Sequence, residues 1–152
     1  MKTKTLVTLA ATALLLLGGS VAPAHADESL HPDVVYALDH VPGGVVVDPY
    51  TVVWPDLGME LSVPSPTLRA VGSCATGQYC AYSEPNRGGT RLSFTVCSIV
   101  STSGLSTVRS IANARTSGTV QARNAASTVL ASAGAGATAN VVGAVTNLRC
   151  LF

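Results

Sequence analysis

Residues 74–94 read Cys74-Ala-Thr-Gly-Gln-Tyr-Cys-Ala-Tyr-Ser-Glu-Pro-Asn-Arg-Gly-Gly-Thr-Arg-Leu-Ser-Phe94, and this stretch decides the fold class. Gln78–Tyr82 and Arg91–Val96 are β-rich runs, and the Ser, Pro, Asn and Gly residues between them are turn formers. The same rhythm continues outward. Gly118–Arg123, Thr128–Ser132 and Thr138–Val142 are β-branched or alternating runs at roughly ten-residue spacing. Short strands at that spacing predict an all-β sandwich or barrel. Val108–Ala114 has helical capacity, but Gly104 and the Ser-Thr clusters around it favour loop and strand. Gly134 and Gly136 argue against a helix through the alanine-rich 122–139.

The N-terminus sets the compartment. Met-Lys-Thr-Lys at 1–4, the apolar run Leu6–Leu17, Gly18-Gly19 and the ending Ala24-His25-Ala26 read as a signal peptide over 1–26. The apolar run is too short for a transmembrane anchor. In an oxidising compartment the four cysteines, Cys74, Cys80, Cys97 and Cys150, predict two disulfides. Of three connectivities, Cys74–Cys80 with Cys97–Cys150 is preferred, because Gly77 lies midway between the first pair and permits a tight turn. A metal site built on these cysteines lacks nearby histidines.

Charge divides the remaining chain. Only 11% of residues are charged and the formal sum is +1. Residues 27–69 carry Asp27, Glu28, Asp33, Asp39, Asp48, Asp56 and Glu60 against Arg69. Residues 70–152 carry Arg87, Arg91, Arg109, Arg115, Arg123 and Arg149 against Glu84. So weak an overall charge excludes nucleic acid and anionic membrane as default partners. We therefore expect a signal peptide (1–26), an acidic leader with short strands and a Pro64-Ser65-Pro66 connector (27–69), and a disulfide-bonded β domain (70–152). Within the leader, turn residues separate Val45-Val46-Val47, Tyr50–Trp54 and Met59–Val63, a small hairpin or meander. Three such strands bury too little to stand alone. They are expected to pack on the β domain with Trp54 as anchor, with residues 27–63 docking on its arginine-bearing face and dissociating more readily at high salt. Val34–Leu38 reads either as a helical turn or as nothing fixed.

The opening stretch, with Val108-Arg-Ser-Ile-Ala-Asn113, resembles the actinobacterial peptidase inhibitor family I36, with its Cys-x-x-Gly-x-x-Cys-x-Tyr opening, Gly-Gly turn and later Ser-Ile-x-Asn segment. The resemblance spans Val71 to Cys150 and implies a βγ-crystallin-like fold, two four-stranded Greek-key motifs packed as a sandwich. It implies that Tyr82 folds over a hairpin in which Gly88 and Gly89 supply turn dihedrals, with Ser93, Ser110 and Asn113 completing the motif. Arg87 stands where a second aromatic is usual, and a second copy near 118–140 is degenerate, with Ala122 at the tyrosine's place. Microbial βγ-crystallins often bind Ca²⁺. Leu105–Ser110 offers no carboxylate or amide at the ligand pair, so a hard cation lacks its oxygen donors here.

Catalytic chemistry is poorly supplied. Beyond the signal peptide there is no lysine, the two histidines are His31 and His40, and no nucleophile elbow or Ser/His/Asp arrangement is visible. His31, Asp33, Asp39 and His40 fit no ligand spacing and read as a solvated acidic segment. We expect no enzyme activity and no cofactor. The resemblance implies a secreted inhibitor of thermolysin-type metalloproteinases, and we expect a monomer. A disulfide-held loop exposing Ala75, Thr76, Gly77, Gln78 and Tyr79 is the candidate inhibitory segment, although Cys74–Cys80 serves first as a fold staple. The alternative is a structural or cell-wall-binding module without inhibitory activity.

Overall fold

The computed structural model describes residues 29–67 and 72–152. The expected signal peptide lies outside the described residues, as does Arg69. In chain order the elements are helix α1 (Pro32–His40), strands β1 (Val45–Asp48), β2 (Thr51–Trp54), β3 (Met59–Ser62), β4 (Tyr79–Tyr82), β5 (Arg91–Phe94), β6 (Ile99–Ser101), β7 (Ser110–Asn113), β8 (Thr119–Arg123), β9 (Val129–Gly134), β10 (Thr138–Asn140) and β11 (Asn147–Leu151). Seven strands form one antiparallel sheet in the order β1-β2-β3-β5-β4-β7-β10, and four form a second, β6-β11-β8-β9. The described residues are all-β in character, with one added α-helix.

Both sheets bury the same core. Leu61, Leu92, Phe94 and Ile111 of the first join Val120, Ala122 and Leu148 of the second in one cluster. Each such side chain contributes about 1.5–3 kcal/mol when fully buried. Period-two alternation sets the facing: β8 and β11 bury Val120, Ala122, Leu148 and Cys150 while Arg149 points outward. β4 is buried on both faces. Tyr79 and Ala81 enter the main core, whereas Cys80 and Tyr82 form a small second cluster with Cys74 and Ala112 on the opposite face.

Strands β4–β7 and β8–β11 repeat one connectivity. In each quartet the first two strands pair, the fourth returns beside the first, and the third, β6 or β10, lies in the other quartet's sheet. Register aligns the copies residue by residue: Tyr82 opposite Ser110 corresponds to Arg123 opposite Asn147. The counterpart of Tyr82 is therefore Arg123 and not Ala122, because Ala122 points into the core.

The acidic segment shares this sheet and this core. β3 runs along β5 with Leu61 opposite Leu92 and Met59 opposite Phe94. Val34, Ala37, Val52, Trp54 and Val63 belong to the main cluster. The docking is thus apolar and backbone-mediated, which corrects the expectation of a charge-held leader. Asp39, Asp48 and Asp56 are exposed, and among the described residues one ion pair, Arg91 Nη2 to Glu60 Oε1 at 3.3 Å, joins the two charge regions. α1 is a nine-residue helix rather than a loose turn. Pro32 is pre-organised for its first turn, His31 Nδ1 accepts the Asp33 N–H at 3.2 Å, and Val34 and Ala37 lie three apart on the buried side. Trp54 Nε1 donates to Val41 O at 2.9 Å, which fastens β2 to the helix end.

Candidate functional site

Both expected disulfides are present, Cys74–Cys80 with Cα atoms 5.8 Å apart and Cys97–Cys150 at 5.1 Å. The first closes a tight turn. Gln78 N donates to Ala75 O at 3.0 Å, Gly77 N to Ala114 O at 2.9 Å, and Ala114 N to Gln78 O at 3.0 Å. Ala75, Thr76 and Gly77 are exposed and Gln78 is half-buried. Tyr79 is 1% exposed, so the accessible tip is three residues and not the five expected. The reason is register: Tyr79 already belongs to β4 and faces the core, where it stacks on Phe94 with ring centres 5.2 Å apart. Its hydroxyl donates to Val96 O at 2.8 Å. Burial pushes the Tyr79 pKa up to about 12, against the opposing pull of a backbone hydrogen bond from Ser98 and the Arg115 charge.

The β4–β5 hairpin folds back on the sheet and is held by side chains from two other strands. Ser110 Oγ donates to Glu84 O at 2.7 Å and accepts from Arg87 N at 2.9 Å. Asn140 Oδ1 accepts from Asn86 N at 2.8 Å, and its Nδ2 donates to Asn86 Oδ1 at 2.9 Å. Gly89 has φ +68, and a Cβ there would lie 2.2 Å from Ser83 Oγ. Gly88 departs from expectation. Its φ is −86, open to any residue, and its constraint is crowding by Glu84 and Pro85; Asn86 and Arg87 carry the other left-handed dihedrals. Tyr82 is fully buried beside this hairpin, and burial raises its pKa.

The remaining motif residues sit apart. Ser93 is buried opposite Cys80 on one side and Glu60 on the other. Asn113 closes the β7–β8 connection, its Nδ2 donating to Gly118 O and Ala133 O at 3.2 and 3.3 Å while Oδ1 accepts from Arg115 N. Arg115 places its guanidinium 2.6 Å from Cys97 Sγ, against Cys150 Sγ, and 4.8 Å from the Phe152 ring centre. The four acidic-segment residues split between the two ends of α1. Asp33 accepts from Thr90 Oγ1 near its start, and His40 Nδ1 lies 2.8 Å from Tyr36 O at its end. Asp33 and His40 are seven positions apart along the helix, about 10 Å of rise. Among the described residues, no three His, Cys, Asp or Glu side chains converge as a metal site, and no helix is long and apolar enough to cross a membrane.

One feature lies outside the sequence expectations. Between the end of α1 and strand β6 is an apolar cavity of about 390 Å³. Met59 and Phe94 line it, Val41 and Ile99 flank it, and His40 and Asp56 contribute polar groups. A sequence signal existed in Ile99-Val100 after Cys97, but three residues are too few to announce a strand. No protein-family model, curated protein or solved structure matches the chain.

Proposed function

We propose that this is a secreted, non-enzymatic βγ-crystallin-like module of the peptidase inhibitor family I36 kind, acting on thermolysin-type extracellular metalloproteinases. The observation that carries the reading is the hairpin folded over β4 and clamped by Ser110, in a chain whose two quartets each lend their third strand to the other's sheet. That is the arrangement expected of paired Greek-key motifs, and it employs the residues on which the resemblance rests. Two disulfides accord with an oxidising extracellular setting. Stapling also keeps exposed turns pre-ordered, which reduces the ordering cost of binding an enzyme cleft. Titrating a thermolysin-type enzyme with the mature protein is expected to remove activity stoichiometrically. Undiminished activity at micromolar excess refutes inhibition.

A second reading, a surface-binding module that does not inhibit, is favoured by one observation. The Ala75–Gly77 tip is short, closed on itself by Gln78 N donating to Ala75 O and held to Ala114 through Gly77 N and Gln78 O, so it does not offer an extended backbone to a cleft. Retention on purified cell wall without proteinase inhibition selects this alternative.

A further inference from the structure

Among the described residues, β6 is the edge strand of the four-stranded sheet, with β11 on one side and no strand on the other. Its ladder assigns the backbone directions. Cys150 N donates to Ser98 O at 3.0 Å and Thr102 N to Thr146 O at 3.1 Å. Because an antiparallel ladder alternates, Ser98, Val100 and Thr102 turn their backbone groups towards β11, while Ile99 and Ser101 turn theirs away from it. Those two residues line the seam with α1. The seam therefore combines a free length of strand ladder with an apolar cavity whose about 390 Å³ falls in the size range of ligand sites. Its charged lining group is Asp56, exposed, with His40 nearby and no lysine or arginine.

We propose that this seam binds an extended peptide that adds as a strand to β6, lays an apolar side chain over Met59 and Phe94, and turns a lysine or arginine towards Asp56. Ladder hydrogen bonds supply affinity in such strand addition and the pocket supplies selectivity. A free ladder calls for an extended backbone, which a lipid or compact metabolite does not provide. The site is separate from the Cys74–Cys80 turn, and its occupancy does not depend on proteinase inhibition.

The test uses a fluorescein-labelled heptapeptide alternating lysine with valine and phenylalanine, and the same peptide N-methylated along one edge. Fluorescence anisotropy with the mature protein is expected to show saturable binding that the N-methylated peptide loses. Ser101→Pro removes the backbone donor that faces the seam and, like Ser101→Ala, the hydroxyl that bonds Ser103; Ser101→Pro is expected to weaken binding about tenfold, whereas Ser101→Ala retains the backbone donor and the affinity. Asp56→Asn is expected to weaken binding about threefold and to reduce its salt dependence. Thermal melts of each variant verify folding. Amide shifts at Ile99 and Ser101 on peptide addition report the ladder directly, without any variant. Absence of saturable binding up to millimolar peptide, or equal affinity for the N-methylated form, overturns the proposal. A doubled mass in sedimentation that Ser101→Pro returns to monomer overturns it in favour of a second copy as occupant.

Discussion

Ser110 shows how much one hydroxyl can organise. It donates to one hairpin carbonyl and accepts from one hairpin N–H while 1% exposed, so Ser110→Ala strands both backbone groups. The expected loss is about 1–3 kcal/mol, measured by urea denaturation. Glycines discriminate in the same way. Gly77 has φ +86 with open space around it, and Gly89 has φ +68 with Ser83 Oγ in the way of a Cβ. Gly77→Ala is expected to cost about 1 kcal/mol, and Gly89→Ala clearly more, because steric overlap adds to the dihedral strain. Tyr79 predicts an alkaline limit. Its folded pKa of about 12 lies above the unfolded value of 10.0, so the folded state retains the phenolic proton longer. That stabilisation is complete below pH 10 and declines between pH 10 and 12, by roughly 2–3 kcal/mol in all. Absorbance titration should show Tyr79 keeping its proton well above pH 10, with unfolding midpoints falling across that window.

At the scale of elements, the way the acidic segment is held decides how it can be released. Leu61 is fully buried against the β5 side of the sheet, and Leu61→Ala is expected to cost about 2–5 kcal/mol. Glu60→Gln removes a partly exposed ion pair and is expected to change stability by under about 1 kcal/mol. Salt up to 1 M should leave the tryptophan fluorescence of Trp54 and the denaturation midpoint unchanged; release of the segment by salt would restore an electrostatic docking. How far these elements were legible follows from their chemistry. β4 and β5 announce themselves through the aromatic residues Tyr79, Tyr82 and Phe94, with the turn formers Pro, Asn and Gly between the two strands. β11 buries Leu148 and Cys150 in alternation, but Asn and Arg dilute the signal. α1 was ambiguous because its valines favour strands; the cap at His31, the prolines and the apolar surface beneath it select the helix. The cavity had no signature beyond the short Ile99-Val100 pair, since its walls come from segments about 60 residues apart that only the fold brings together.

Across the whole molecule, the two disulfides have different duties. Cys74–Cys80 spans 6 residues and Cys97–Cys150 spans 53. Replacing both partners of the first by serine is expected to lower stability by about 2 kcal/mol, and of the second by about 4, on the chain-entropy account. Cys97 lies where the chain leaves β5 for the opposite sheet, and Cys150 lies in the last strand. Exchange of β6 and β10 means that neither quartet can complete its sheet before the other is in place. Oxidation during folding should therefore be ordered in time. The local bridge can close while the chain is still open, whereas the long one must wait for the crossover, so acid-trapped intermediates should carry Cys74–Cys80 first. The final sulfur–sulfur bond then acts as a latch that closes only on a finished topology, and its yield in a refolding mixture counts the molecules that have arrived.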